Sequence, residues 1–277
     1  MITREEKALM RTSNKENPTR TKLTNIRVLY AKKAYGDVLD VGGGIGRFLP
    51  FLDGNTFICD IVHEDMFRLK HDKKVVLDAD QTLPFKDDSF DVVWASGVCH
   101  FLDIERFVVE SKRITKNGGK ILIMIPNMKS IWNTVKKALG FRAWQDQPGI
   151  KKDYSYEDLL KLGGKVEGEI SFLPFDGLFR KCLWLSHTLL SEIDVKKEYS
   201  EEESLAATSD ILEQMLRKLA CPYCLPNGKL SVAEGQNNVY CNNCCRKYPI
   251  INDTFVFDGV DRYFKHDEGV DRMVLDE

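Results

Sequence analysis

The chain has 277 residues, 43% of them apolar, enough to fill the core of one medium domain and a smaller companion. A net charge of −2 excludes a molecule-wide polycation of the kind that coats nucleic acid. No apolar run approaches the ~18 residues of a membrane span, and the N-terminus lacks the apolar stretch of a secretory signal, so a soluble, cytoplasmic protein is expected.

Residues 1–36 form a basic arm. Arg4, Lys7, Arg11, Lys15, Arg20, Lys22, Arg27, Lys32 and Lys33 stand there against Glu5, Glu6 and Glu16. Contact with an anionic substrate or nucleic acid is one reading of this arm. A solvated helix, broken near Asn17-Pro18, is the preferred one.

From residue 37 to about 190, short β-rich apolar runs alternate with helical patterns. The strands expected are Asp37–Val41, Asn55–Cys59, Lys74–Leu77, Phe90–Ser96 and Gly119–Ile125, with a helix over Ile104–Ile114. Such alternation predicts βαβ units around a parallel sheet, whose ligands bind beyond the carboxyl ends of the strands. The stretch "VLDVGGGIGRF" runs from an apolar strand through Asp40 into Gly42, Gly44 and Gly46. Glycines at a strand-to-helix turn let the backbone approach a ligand, and N–H groups point at it. The dinucleotide fingerprint G-x-G-x-x-G would need glycine at position 47, where the chain has Arg47. About twenty residues after Asp40, Asp60 closes the second strand, where a carboxylate can accept from both hydroxyls of a ribose.

The spacing D-x-G-x-G-x-G resembles the first motif of class I S-adenosylmethionine (SAM) methyltransferases. "VVLDADQTLPFKDDSFDVVWAS" resembles the same family's adenine-contacting turn, acidic turn and fourth strand. "RFVVESKRITKNGGKILIMIPN" resembles its helix, Lys-x-Gly-Gly turn and fifth strand. The resemblance covers residues 37 to 127. It implies an α/β, Rossmann-like, mostly parallel sheet of seven-stranded type with helices on both faces, and SAM as methyl donor. It also implies that Asp78 accepts from the adenine amine, with Ala79 giving a backbone contact. Leu77 stands where many relatives have glycine. Ser96 ends the fourth strand and joins the candidate cofactor residues. The Gly118-Gly119 pair is expected to end the preceding helix in left-handed geometry.

The segment after the fourth strand, "GVCHFLD", lacks the Asn/Asp-Pro-Pro-aromatic motif of enzymes that methylate exocyclic or amide nitrogens. His100 is the best placed candidate base; packing beneath the cofactor is its alternative. Cys99 reads as a small buried hydrophobe rather than a nucleophile. Residues 128–152 mix aromatics and cations, compatible with an acceptor lid, a core helix or base stacking. Ser155 and Asp158 predict a helix start, and Gly163-Gly164 its stop near Leu162. Lys165–Phe172 alternates like a sixth strand. Leu178, Cys182, Leu185 and Leu189 lie on one possible helical stripe, with His187 read as structural. Residues 191–219 read as a connector ending in a short helix, Ile211–Leu219, and residues 261–277 as an acidic tail.

Residues 220–260 carry the other strong signal. Cys221-x2-Cys224 and Cys241-x2-Cys244 are separated by sixteen residues, the spacing of two zinc knuckles. Cys245 is an alternative to Cys244. Four protein ligands leave no open position, so a structural zinc is expected, the staple a domain this small needs. "CNNCCRKYPIINDTFVF" resembles the small zinc-ribbon protein that activates translation-related methyltransferases. That resemblance implies a ribbon paired with the methyltransferase sheet edge, here in cis. The function expected is methyl transfer from SAM to a small organic or lipid-like acceptor. An RNA or translation factor is the alternative acceptor, and a non-catalytic SAM-binding scaffold the alternative class.

Overall fold

The computed structural model describes residues 15, 24–139, 150–169, 181–197, 210–232 and 238–257. Its strands form one mixed sheet in the order β6-β7-β5-β4-β1-β2-β3-β11-β10-β9-β8. The parallel centre is β1 (Asp37–Val41), β2 (Asn55–Asp60), β3 (Lys74–Val76), β4 (Phe90–Ser96) and β5 (Thr115–Pro126). These strands are buried on both faces, which is why they read as continuous apolar runs. At one edge, β7 (Thr188–Asp194) runs antiparallel to both β5 and β6 (Lys165–Glu169).

The helix α3 (Ile104–Ile114) illustrates how the covering elements are specified. Among the described residues it follows α1 (Asn25–Ala31) and α2 (His63–Arg68) and precedes α4 (Ile131–Ala138), α5 (Tyr156–Lys161) and α6 (Ile211–Lys218). The Asp103 side chain accepts from the N–H groups of Glu105 and Arg106, satisfying two donors that the helix itself leaves open. Ile104, Phe107, Val108, Ser111 and Ile114 then form the buried face. At α5, Ser155 and Asp158 close a capping box.

Three expectations are corrected. Gly118 is left-handed, at φ +80°, yet it does not cap the helix. The helix stops at Ile114, and Gly118 sits where residues 116–119 loop out between the pairs Phe90↔Thr115 and Val92↔Lys120. The stripe ending at Leu189 is not helical: a short turn at Leu183–Leu185 leads into β7, and Leu189 pairs with Ile125. A strand buried on both faces can satisfy helical spacing by coincidence. Leu178 lies outside the described residues, as do positions 170–172 of the expected sixth strand and the tail at 261–277.

Nor is the last part of the arm a solvated helix. The helix α1 starts at a Thr24 cap and buries Ile26, Val28, Tyr30 and Ala31 against Val38, Trp94, Leu122, Met124 and Leu190. Its cations obscured an apolar face that the sheet required.

The four-cysteine segment continues the same sheet. The strand β11 (Thr254–Val256) pairs parallel with β3, in the register Thr254↔Lys74, Phe255↔Val75, Val256↔Val76. The strands β10 (Lys247–Ile251), β9 (Asn238–Cys241) and β8 (Leu230–Val232) follow antiparallel. The core crosses this seam, since Met215, Leu219, Cys221, Tyr248 and Phe255 share one apolar cluster with Phe57, Phe85 and Phe90. Hydrogen bonds from Lys86 N to Lys218 O (2.7 Å) and Ala220 N to Pro84 O (2.9 Å) bind the lead-in helix α6 to the sheet. An edge strand left open would template pairing with other chains, and β11 covers it.

Candidate functional site

At the carboxyl end of β1 the chain turns sharply. Gly42, Gly44 and Gly46 all have positive φ, between +53° and +73°. A Cβ on Gly42 would lie 2.6 Å from the Val98 side chain, so glycine is required there for space as well as conformation. The turn is held from β2: Gly42 N donates to Cys59 O at 2.9 Å, and Gly44 N donates to Asp60 Oδ2 at 2.8 Å. The second Asp60 oxygen accepts from Val62 N at 2.9 Å. One carboxylate therefore fixes the glycine turn and the start of the next helix. Burial raises the Asp60 pKa, and the N–H groups of Val62 and Gly44 oppose the rise.

Asp40 is 1% exposed, and its Oδ2 has no hydrogen-bond partner among the described residues. Burial, with the Asp60 charge behind it, pushes its carboxyl up to about 8. Beyond β3, Asp78 makes a turn in which its Oδ1 accepts from Asp80 N at 2.9 Å. Asp80 in turn accepts from Asp103 N at 2.8 Å and pairs with Lys151.

These residues surround one cleft of about 660 Å³, whose walls include Asp40, Gly42, Asp60, Asp78, Ala79, Ser96 and His100. Gly44 and Gly46 shape the turn without lining the cleft. The volume suits a nucleoside-sized ligand. The site stands where an open α/β sheet is expected to bind, beyond the strand carboxyl ends. His100 is buried, packs on Phe101 with ring centroids 4.2 Å apart, and is pulled down to about 4 by burial. Its imidazole is neutral at pH 7. Cys99 is buried in the core, and burial pushes its thiol up to about 12, which removes it as a nucleophile at neutral pH.

The second constellation lies in the ribbon. The Sγ atoms of Cys221, Cys224, Cys241 and Cys244 lie within 4.8 Å of one another. Cys245 is outside this cluster, exposed and left-handed at φ +59°, so the choice between it and Cys244 falls to Cys244. Asn243 N points at Cys241 Sγ at 3.4 Å, and the Tyr248 hydroxyl lies 3.0 Å from Cys221 Sγ. Four convergent thiols with N–H and O–H support are a donor set suited to Zn²⁺.

Parts of this chain are similar to known proteins. A family described as "Methyltransferase domain" matches residues 39–123. The uncharacterized protein MJ1123 of Methanocaldococcus jannaschii is 36% identical over 187 residues, 63% of this chain and 82% of that one. The chain belongs to the SAM-dependent methyltransferase family. A second protein of M. jannaschii, uncharacterized MJ0638, is 34% identical over 140 residues, 50% of this chain and 59% of its own length. The ubiquinone/menaquinone biosynthesis C-methyltransferase UbiE of Ralstonia pickettii is 28% identical over 149 residues, 48% of this chain. The chain thus spans only 59% of MJ0638 and 54% of that UbiE. Among solved structures, one chain of a complex containing the Haloferax volcanii Trm112 methyltransferase activator aligns with a TM-score of 0.50 at 21% identity. The alignment covers 73% of the present chain and all of that one, a likeness of fold.

The cleft also contains residues the sequence did not single out. Arg27 reaches it from α1, with its Nε donating to Glu169 Oε2 at 2.9 Å and Nη2 to Thr188 Oγ1 at 2.6 Å. Phe48, Met124, Pro126 and Phe101 supply apolar wall, and Lys151 a cation. Only the position of Met124 and Pro126 at the end of β5 pointed to them beforehand. Arg27 was hidden within the basic arm, because nothing local tells a cation that folds inward from its solvated neighbours.

Proposed function

We propose that this methyltransferase moves the methyl group of SAM to a small organic or lipid-like acceptor within the cleft. The supporting observation is the convergence of Asp40, Asp60 and Asp78 with the glycine turn on one concave site. In this reading Asp60 receives the ribose hydroxyls, Asp78 and Ala79 meet the adenine, and Ser96 lines the methyl-donor end. The orphaned Asp40 Oδ2 and a turn that a Cβ would block are features that fit such a ligand. When bound, SAM supplies a methyl group already activated on a sulfonium. The chain's own work is to hold donor and acceptor in line and exclude water. His100, with its proton affinity pulled down to about 4, suits wall and positioning duties and an acceptor that is itself nucleophilic.

The acceptor class is supported by the apolar wall of Phe48, Phe101, Met124 and Pro126, and by the quinone-pathway names of the UbiE relatives. The zinc we place at Cys221, Cys224, Cys241 and Cys244 is structural. It holds the ribbon so that β11 completes the sheet edge in cis. That edge pairing favours a second reading, methylation of an RNA or translation factor, because a methyltransferase activator is part of the solved complex whose chain shares this fold.

Tritiated SAM with cell extract, fractionated into RNA, protein and lipid-extractable small molecules, separates these readings. Label in the small-molecule fraction is expected, and label confined to RNA would sink the first. Calorimetry with SAM and with its demethylated product separates an enzyme from a scaffold that binds neither.

A further inference from the structure

On the β7 side of the cleft, three elements distant in sequence meet at one buried carboxylate. Glu169, which closes β6 and is 0% exposed, accepts from Thr24 Oγ1 at 2.5 Å on one oxygen and from Arg27 Nε at 2.9 Å on the other. Arg27, 8% exposed, donates from Nη2 to Thr188 Oγ1 at 2.6 Å. Thr24 caps α1, Arg27 lies in its first turn, and Thr188 opens β7. A buried ion pair adds little net stability over apolar residues of the same volume, so seating α1 does not by itself account for this one. Arg27 and Thr188 both line the cleft.

The strand order says which part of the cleft they serve. Asp40, Asp60 and Asp78 belong to the end formed by β1, β2 and β3; Ser96 ends β4; Thr188, on β7, stands opposite Pro126 of β5. At a strand spacing of about 4.8 Å, Thr188 lies about 10 Å beyond Ser96, away from the nucleoside side. Thr188 Oγ1 already accepts from Arg27, so its one hydrogen points elsewhere. We propose that this hydroxyl donates to an oxygen of the methyl acceptor, with Arg27 as the positioning residue that sets its direction. The ion pair fixes the kind of oxygen. Glu169 cancels the Arg27 charge, so the corner offers a donor without the net positive charge that a carboxylate or phosphate demands. An uncharged hydroxyl or carbonyl oxygen fits it, on an acceptor whose apolar body lies along Phe48, Met124 and Pro126. The methionine carboxylate of SAM is disfavoured there by the same cancellation. The inference rests on the small-molecule acceptor reading and deepens it, from an apolar wall to an apolar molecule with one placed oxygen.

The test uses 2-naphthol, naphthalene and 2-naphthoate as probes. Each is titrated by its fluorescence at pH 7 into the full, zinc-loaded chain saturated with the demethylated product of SAM. The wild type is expected to bind 2-naphthol about tenfold more tightly than naphthalene, and 2-naphthoate more weakly than 2-naphthol. Thr188→Val keeps the shape and removes the hydroxyl. It should abolish the preference for 2-naphthol and leave naphthalene binding unchanged, and Thr188→Ser should restore the preference. Arg27→Lys, which retains a charge for Glu169, should lower the preference severalfold alone and have no further effect beside Thr188→Val. The wild-type preference and its retention in Thr188→Ser do not depend on the valine variant folding. A wild type without the preference, a Thr188→Val that keeps it, or tighter binding of 2-naphthoate would overturn the proposal. So would an Arg27→Lys that loses affinity for SAM while keeping the preference, since the corner would then serve the cofactor. Probe binding is read without methyl transfer, so its failure is distinct from that of the acceptor reading, which label confined to RNA would sink.

Discussion

Asp40→Asn is expected to make the ligand-free protein more stable. The folded chain holds this carboxyl at about 8, against an ordinary value of 3.8. Between those values the folded state keeps a proton that the unfolded chain releases, so stability falls as pH rises from about 4 to 8 and levels off above. At pH 7 the cost is about three units, or about 4 kcal/mol at 1.36 kcal/mol per unit. Asparagine cannot ionise and removes that cost. Its amide, placed where Oδ2 has no partner, returns about 1–3 kcal/mol. The net gain at pH 7 is then about 1–3 kcal/mol, a large fraction of an ordinary stability margin. Urea unfolding of the zinc-loaded protein at pH 5 and pH 7 measures it. The advantage of the variant over wild type should widen by about 2–3 kcal/mol between those values. A difference that stays constant would refute the reasoning, because it would mean an unperturbed Asp40. In the same experiment series, SAM uptake near pH 7 should release a proton from the wild type and none from the variant, read by calorimetry in buffers of different ionisation enthalpy.

Other outcomes follow from single contacts. Asp60→Ala removes the acceptor for Gly44 N and Val62 N and should weaken SAM binding by about tenfold or more; an unchanged dissociation constant would remove Asp60 from the site. Cys221→Ser should lose its zinc, measured by elemental analysis, and destabilise the ribbon together with the β3 edge. Phe255→Ala, at a position 4% exposed, should cost about 3–5 kcal/mol and lower the melting temperature of the catalytic core as well as the ribbon. Cys99 should resist alkylation at pH 8 in the folded protein and react once it is unfolded, since its thiol is held near 12 by burial.

The central strands were legible because their signal is local. β1, β2 and β4 are apolar runs closed by turn residues, and their ends carry Asp40, Asp60 and Ser96 into one cleft. The cysteine spacing was legible for the same reason, since four ligands on two knuckles are written in the chain. What was missed is non-local. The inward face of the helix Asn25–Ala31 acquires meaning only against Trp94 and Leu190, which arrive far later in sequence. Arg27 is informative only beside Glu169 and Thr188. The strand Thr188–Asp194 was concealed because both its faces are covered, which erases the alternation that marks a strand. The pairing of β11 with β3 came from resemblance, since spacing alone shows only a metal site.

That pairing also sets a timetable. During synthesis β3 emerges first, and its partner β11 leaves the ribosome about 180 residues later. Until then the strand leading to Asp78 has an open edge, and the nascent chain carries a template for pairing with its neighbours. The long loop closed by this contact makes it slow to form. Completion of the cleft would thus be tied to completion of the ribbon, so a chain truncated before Thr254 should aggregate and fail to retain SAM, even though every residue that lines its cleft has already been made.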